Sequence, residues 1–380
     1  MTPRIGIVGG GTFGTMHLRA ATQAHRRGEI ELVGLADTDP AVRDRQARAF
    51  GVRTFETHTD LIGAGNLHGI AVVTPDHLHR AVVLDCLAAG LHVLCEKPLA
   101  TTVDDALAMH TAATDAGLLL QVDFHKRYDP YHRQLRRSIR AGDLGAMQYG
   151  YAFVENQIVV PTEMLRAWSH DSSSMWFLGV HKIDLMLWMM GGRAVRVYGS
   201  GKREVLRGMG IDTWDSLSAR IELDTGAYVT IDTSWILPTT FESIINQAVR
   251  VIGDHGLCEI DGQDRGHRAF TRDAGETLNL GFYEELPPSP FQGEGRGEGG
   301  SSGAPRPPQD VTYVGYGIES IVHFYRNLAF LLDGGSLSDL TGAYPDSAAG
   351  LHVTQIAAAA HESAKTGRPV DLDDLGLSAF

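Results

Sequence analysis

The sequence predicts an α/β protein, in which a parallel sheet wrapped by helices is followed by an α+β domain built on a large, mainly antiparallel sheet. Two patterns carry that expectation. Up to residue 122, short β-branched apolar runs alternate with helical stretches, as buried parallel strands joined by crossover helices do. Beyond residue 147, extended runs follow one another across turn signals such as Asp224-Thr225-Gly226-Ala227, which suits antiparallel neighbours. A chain of 380 residues exceeds what one hydrophobic core usually serves, so two domains are expected, at 1–122 and 123–380.

The first strand, Arg4 to Val8, runs into Gly9-Gly10-Gly11-Thr12-Phe13-Gly14, a match to G-x-G-x-x-G, and a helix can follow from Thr15 to Arg27. Such a loop lets backbone N–H groups approach a diphosphate that Cβ atoms would block, and the helix N-terminus adds about half a positive charge. The second strand, Ile30 to Ala36, ends at Asp37, where a carboxylate can accept both hydroxyls of an adenosine ribose. Strand, loop, helix, strand and acid in this order predict a Rossmann dinucleotide site. Asp37 would repel a 2′-phosphate, and Thr38 stands where an arginine could have gripped one, so NAD is favoured over NADP.

The remaining elements follow in order. Pro40 to Phe50 has a helical pattern, Arg53 to Phe55 suits a short strand, and Gly69 to Val73 is an apolar strand running into Thr74-Pro75-Asp76-His77-Leu78-His79. A helix to Ala89, with Pro75 in its first turn, precedes the strand His92 to Cys95, which ends at Glu96-Lys97-Pro98. A helix from Val103 to Ala116 and the strand Leu118 to Val122 complete six parallel strands. In the second part, helices are expected at Tyr128–Arg140, Ser174–Met190, Gly315–Leu332 and Tyr344–Lys365. Strands are expected at Met147–Val160, Val195–Lys202, Asp215–Leu223, Ala227–Ile236, Gln247–Ile252 and Leu257–Ile260. Between 287 and 308 the composition falls to Pro, Gly, Ser, Glu and Arg, which predicts a mobile surface insertion.

Composition narrows the class. With 43% hydrophobic and 21% charged residues the chain reads as an ordinary globular protein. A net charge of −13 without a long basic run argues against nucleic acid or an anionic membrane surface as partner. The three cysteines, Cys86, Cys95 and Cys258, are widely spaced in apolar contexts and form no C-x-x-C pair, so they read as reduced thiols and no metal site is expected. The first strand begins at residue 4 and no run of eighteen apolar residues occurs, so a cytoplasmic location is expected.

Ligands of open parallel sheets bind beyond the carboxyl ends of the strands, where the glycine loop, Thr74 to His79 and Glu96-Lys97-Pro98 all emerge. Lys97 then lies within reach of a nicotinamide, where an ammonium can polarise a hydroxyl or take its proton; taken alone it reads equally as a solvated loop lysine. His181 lies in the apolar helical stretch Met175 to Trp188 and can accept a proton while hydride leaves the same carbon, with Asp184 one turn on to orient it. The plainer alternative is a hydrogen-bonded core histidine with Asp184 as a helix-surface partner.

These segments together resemble the glucose-fructose oxidoreductase and inositol dehydrogenase family, often called Gfo/Idh/MocA. The resemblance rests on Gly9 to Gly14, Thr74-Pro75-Asp76 with His79, Glu96-Lys97-Pro98 and Gly179-x-His181-x-x-Asp184, and extends from residue 4 to about 372 apart from the 287–308 insertion. It implies that Lys97 contacts both cofactor and substrate, that His181 is a catalytic proton acceptor, and that the second sheet forms a subunit interface in a homo-dimer or homo-tetramer. It also implies that substrates are sugars or cyclic polyols and that the bond before Pro98 is cis. One position departs: Phe177 stands where sugar-oxidising members often place an aspartate one turn before the histidine, so that either Lys97 and His181 act with less support or Asp184 substitutes.

The expected activity is NAD-dependent hydride transfer from a secondary alcohol of a sugar, sugar acid or inositol. Gly9, Gly11, Thr12, Phe13 and Gly14 would hold the diphosphate, Asp37 the adenosine ribose, and Thr74, Pro75, His79, Glu96 and Lys97 the nicotinamide half. Lys97, His181 and Asp184 form the catalytic set. The substrate wall is expected from Lys97, His125, Arg127, Tyr151, Asn156, Trp168, His170 and His181, with Arg127 also placed to brace the domain junction. Two rival readings are a non-catalytic NAD and sugar sensor, motivated by Phe177, and an epimerase or lyase that oxidises its substrate only transiently.

Overall fold

The computed structural model describes residues 1–264, 268–270, 275–277, 279, 281–286 and 311–372; the 287–308 stretch lies outside the described residues. The first sheet holds β1 (Arg4–Val8), β2 (Glu31–Ala36), β3 (Thr54–Phe55), β4 (Gly69–Val72), β5 (His92–Cys95) and β6 (Leu120–Val122). All pairs are parallel, in the order β3-β2-β1-β4-β5-β6. Chain order reverses between β1 and β4, and that switch point is where an open sheet leaves a crevice.

Helices α1 (Thr12–Arg26), α2 (Pro40–Phe50), α4 (His79–Ala88) and α5 (Val103–Asp115) connect these strands. The limits of α2 are written in its ends: the Asp39 side chain accepts from the Ala41 N–H, Pro40 takes the first position, and Gly51 closes the helix at φ 64°. One short helix, α3 (His58–Gly63), has no counterpart among the expected elements; a capping box between Thr57 and Asp60 stabilises it. Pro75 stands before a short 3-10 turn, Asp76–Leu78, rather than inside α4.

The second sheet takes the order β12-β11-β7-β10-β9-β8-β17. Its strands are β7 (Met147–Gln157), β8 (Ala194–Lys202), β9 (Ser216–Leu223), β10 (Tyr228–Leu237), β11 (Ile245–Gly253), β12 (Leu257–Asp261) and β17 (Val370–Asp371). Strands joined by short turns are antiparallel, as expected, but β10 pairs with β7 in parallel. Those two are not consecutive, so the turn argument does not apply to them: α7 (Val180–Met190) and strands β8 and β9, with the single-turn α8 (Val205–Gly208), intervene. Along β7, Gly150, Ala152, Val154 and Asn156 are buried on the side facing α7, whereas Tyr149 and Tyr151 are exposed on the other.

Two expected helices are divided. The stretch from Tyr128 breaks at Asp129-Pro130, because the residue before proline is pushed out of the helical region; Asp129 has ψ 124°, leaving a 3-10 turn at His125–Tyr128 ahead of α6 (Pro130–Ala141). The stretch from Ser174 starts as a wide π turn, Met175–Gly179, and only then becomes α7. Small strand pairs, β13 (Arg268–Phe270) with β14 (Gly275–Thr277) and β15 (Glu284–Leu286) with β16 (Thr312–Val314), precede α9 (Tyr316–Leu332). Helix α9 returns to the first sheet, where Ile318, Ile321, Phe324 and Leu328 share a core with Ile5, Ile7, Ala71 and Leu94. Helix α10 (Ser347–Thr366), capped by Asp346, packs along β8 and α5. Among the described residues no helix is long and apolar enough to cross a membrane.

The cores enclose neutral histidines. Burial pulls His132 down to about 3, although Asp129 opposes the shift, and pulls His361 down to about 4 where it stacks on Trp176. An unfolded chain takes up those protons near pH 6.5, the native fold only near 3 and 4, so each histidine makes stability fall as pH drops from 6.5 towards 4. Asp123 and Asp184, whose carboxyls burial raises, act in the opposite sense, so the difference between variant and wild type is the informative quantity. We expect His132→Gln to lose less stability than wild type between pH 6.5 and 5, by up to ~1.4 kcal/mol per pH unit in denaturant titrations. Equal pH slopes would contradict a buried neutral His132.

Candidate functional site

The glycine loop has the shape a diphosphate requires. Gly9 adopts φ 101°, and a Cβ there would fall 2.3 Å from the Val73 carbonyl oxygen, so only glycine lets β1 and β4 approach this closely. At Gly14 a Cβ would fall 2.1 Å from the Gly9 oxygen, whereas at Gly11 nothing lies within 4 Å. The space over Gly11 faces the start of α1, whose N-cap is Gly11 itself with no side-chain cap, leaving the first-turn N–H groups open to an anion. Thr12 is exposed and Phe13 half-buried in that turn. Asp37 Oδ2 accepts the Gly10 N–H at 2.7 Å and Oδ1 the Asp39 N–H at 2.9 Å, which fixes the carboxylate at the end of β2. Arg43 and Arg45 lie nearby but donate to backbone carbonyls of Asp37, Thr38 and Gly10. These residues fit NAD.

The loops after β4 and β5 are tied to each other. His79 is fully buried, with Nδ1 2.8 Å from the Pro98 oxygen and Nε2 2.9 Å from the Thr74 oxygen. Both ring nitrogens are therefore spent bracing the two loops, which corrects the expectation that His79 touches cofactor. The Lys97–Pro98 bond is cis, as the family resemblance implies. Thr74 Oγ1 is buried without a partner beside this brace, and Pro75 leads the 3-10 turn that carries Asp76. Asp76, buried, accepts from Ser172 Oγ at 3.0 Å, and burial raises its carboxyl against the pull of Lys97.

Beneath Lys97 lies a buried acid pair with a histidine. His17 Nε2 sits 3.1 Å from Glu96 Oε1 and 3.8 Å from Asp123 Oδ2. Burial would raise Glu96, but His17 and Lys97 outweigh it and hold the carboxyl below its usual range. Asp123 goes the other way, raised by burial and by the charge of Glu96, so a proton between the two acids is held on Asp123. Glu96 also accepts the Lys97 backbone N–H at 3.2 Å. Glu96 thus supports Lys97 from below. The sequence signal for His17 was available, three residues after Gly14 on the buried face of α1.

Lys97 and His181 come from separate halves of the chain, and the charge of the first bears on the imidazole of the second. Lys97, 4% exposed, donates from Nζ to the Phe177 carbonyl at 3.0 Å, and lies 4.2 Å from the Phe177 ring centroid and 5.9 Å from that of Phe13 in the glycine loop. The π turn bearing Phe177 leads directly into α7, and His181 is in its first turn. The His181 ring lies 4.4 Å from that of His125 and 6.5 Å from that of Phe124, and its Nδ1 is buried without a hydrogen-bond partner. Burial, then the charges of His125 and Lys97, press its pKa well below the usual histidine range, so the imidazole is neutral at pH 7.

Asp184 does not support that histidine. Its carboxylate forms a two-pronged pair with Arg127, with Nε–Oδ2 2.8 Å and Nη2–Oδ1 2.5 Å, so the substitution of Asp184 for the missing aspartate is corrected. Arg127 is spent in the same pair, tying the His125–Tyr128 turn to α7 rather than facing a substrate. Tyr151 lies on the opposite face of the second sheet, 37% exposed, where its hydroxyl donates to Asp232 at 3.0 Å. The period-2 alternation of β7 puts it there, so it leaves the substrate wall. His170 is exposed against Asp171 at 3.2 Å.

His125, Asn156 and Trp168 remain near the centre. Asn156 is buried on the α7 side of β7 with Oδ1 unpartnered, and Trp168 meets Phe177 edge-on at 6.0 Å. The reading missed Phe282 and Tyr316, whose rings lie 5.1 and 5.8 Å from that of His125, and no local pattern announces them. Among the described residues, His17, Glu96 and Asp123 are a group with ligand atoms mutually within 4.8 Å, closed by the His17–Glu96 hydrogen bond.

Comparisons with known proteins agree with this layout. Residues 3–124 match the model of an oxidoreductase family with an NAD-binding Rossmann fold, and residues 132–259 match the GFO/IDH/MocA C-terminal domain. The rhizopine catabolism protein MocA of Rhizobium meliloti is 35% identical over 188 residues, 50% of this chain and 57% of that protein. An inositol 2-dehydrogenase of Rubrobacter xylanophilus is 28% identical over 260 residues, 67% of this chain and 70% of that protein. The match therefore spans little more than half the length of the first relative. The fold of the myo-inositol 2-dehydrogenase of Lactobacillus plantarum superposes with a TM-score of 0.76 at 19% identity, covering 98% of this chain and 99% of that one. With both of its halves matched, the chain belongs to the Gfo/Idh/MocA family of oxidoreductases, whose first domain is an NAD-binding Rossmann fold.

Proposed function

We propose that the protein is an NAD-dependent dehydrogenase that oxidises a secondary alcohol of a cyclic polyol of the inositol type. The observation that carries this reading is a buried ammonium, Lys97, beside the glycine loop, whose charge bears on a buried neutral imidazole, His181, from the second half of the chain. Gly11, Thr12 and Gly14 would hold the diphosphate and Asp37 the adenosine ribose; bound NAD supplies a hydride acceptor. Lys97 donates a hydrogen bond to the reacting hydroxyl, which draws charge onto that oxygen, and His181 takes the proton as the carbon loses hydride. His125, Asn156 and Trp168 would orient the ring. The names of relatives called inositol 2-dehydrogenase favour an inositol over an open-chain sugar.

Phe177 suits this chemistry in its own way. Where an aspartate would neutralise the lysine, the phenyl face and the Phe177 carbonyl hold the ammonium without cancelling its charge. Burial first, then the charges of His125 and Lys97, keep His181 neutral, and an ammonium without a counter-charge strengthens the hydrogen bond to the hydroxyl. We also propose a homo-oligomer that covers the outer face of the second sheet. In support, Tyr149 and Tyr228 stack there at 5.5 Å and Tyr149, Tyr151 and Tyr198 are exposed.

Three outcomes are expected. With NAD and a panel of inositols, wild type forms reduced nicotinamide, and Lys97→Met and His181→Gln each lower kcat by roughly 10²–10⁴-fold while nucleotide affinity stays within a few-fold. Silence across the panel with NAD bound would sink the dehydrogenase reading. Phe177→Leu keeps the volume and removes the π face, and kcat is expected to fall roughly 3–30-fold, the equivalent of ~0.6–2 kcal/mol; unchanged turnover would assign Phe177 to packing alone. Tyr228→Glu is expected to dissociate the assembly in light scattering at micromolar concentration, and an unaltered mass would place the interface elsewhere.

A further inference from the structure

Behind the Arg127–Asp184 pair lies a half-open cavity, of about 260 Å³, that the redox chemistry does not use. It is lined by Arg127, Arg133, Arg136, Arg137, Arg140 and Trp188, with the loop 342–345 as a further wall. That volume is well above the roughly 15 Å³ a single water needs. The loop is anchored, since the Pro345 carbonyl accepts the Val122 N–H of β6 at 2.9 Å. We propose that this cavity binds a small phosphate-bearing anion with two phosphate groups, or one phosphate on a larger body.

Charge is the first argument. Positions 133, 136, 137 and 140 are spaced i, i+3, i+4 and i+7, one face of α6, so the sequence stacks four guanidinium groups along one stripe. Asp184 compensates Arg127, and Asp346, which also caps α10, is felt at that pair. Among the described residues no carboxylate pairs with Arg133, Arg136 or Arg140. On a chain whose net charge is −13, such a local excess of positive charge is out of keeping with the surface as a whole. Burial and the neighbouring charges of Arg140 and Arg127 lower the Arg136 guanidinium to about 10, the sign of a cation placed among cations.

Preorganisation is the second. Arg136 donates from Nε to the Trp188 carbonyl at 3.0 Å and lies 4.1 Å from the Trp188 ring centroid, while Arg133 donates from Nε to the Arg127 carbonyl at 3.2 Å. Both stems are fixed through Nε, and among the described residues no acceptor engages their Nη ends. A planar fork held in this way matches the oxygens of phosphate two at a time. Seven residues of helix rise roughly 10 Å, more than one phosphate spans, hence the larger ligand. A concave site on an acidic protein favours a small molecule over a nucleic acid. Arg127 belongs to the turn that carries His125, and Trp188 to the helix that carries His181, so an occupant would bear on both.

This inference is independent of the redox reading. Calorimetric titration of the full chain, saturated with NAD at constant ionic strength, would use inorganic pyrophosphate, a hexose bisphosphate and a short oligonucleotide as probes. Saturable one-to-one binding of a small probe is expected, weakened at least tenfold in Arg140→Glu, an exposed position outside the candidate active site, with NADH affinity unchanged. Tighter binding of the hexose bisphosphate would identify a phosphorylated metabolite as the source, and equal binding free polyphosphate. The proposal is overturned by no binding, by heats that follow ionic strength or survive Arg140→Glu, or by binding of the oligonucleotide alone.

Discussion

An ammonium group taken out of water is the constraint around which the site is arranged. Removing Lys97 from solvent costs several kcal/mol unless polar groups replace its hydration. The protein answers with three partial compensations instead of one full counter-charge: the Phe177 carbonyl, the Phe177 ring and the more distant acids Glu96 and Asp76. Each compensator is itself held in place. Glu96 is anchored by His17 on α1, Asp76 by Ser172, and Phe177 by packing against Trp168 and Trp235. The result joins the glycine loop, the carboxyl end of the first sheet and the π turn of the second half into one cluster.

His181 depends on that arrangement. A neutral imidazole with a free ring nitrogen is an unusual thing to bury, and it persists because the lack of solvent first, and then the neighbouring positive charge, oppose its protonation. The same logic explains why no acid stands at its back. An aspartate at 177 would stabilise the protonated ring and, at the same time, quench Lys97. With Asp184 committed to Arg127, the His125–Tyr128 turn is locked to α7 by a buried pair while the proton acceptor stays unencumbered.

Much of this was legible in the sequence, for identifiable reasons. The glycine loop, Asp37 and the ends of α2 follow from backbone requirements that only a few residue types meet, and the local chain displays them. The six parallel strands announce themselves because they are apolar on both faces. What stayed hidden depends on contacts distant in the chain. Asp184 sits three residues from His181 and the spacing suggests a pair, yet Arg127, 57 positions away, has the stronger claim. His79 reads as a ligand until the Thr74 and Pro98 carbonyls are seen on either side of its ring. Tyr151 and Asn156 differ only in the parity of their positions along β7, and the sequence does not say which parity faces α7.

The central claim is that the Lys97 charge bears directly on a buried, neutral His181, and nuclear magnetic resonance titration of the His181 ring tests it most directly. In the wild-type protein the ring should stay neutral far below the ordinary histidine range near pH 6.5, and in Lys97→Met its titration should move upwards. A ring that titrates near 6.5 and ignores the loss of Lys97 would contradict the account.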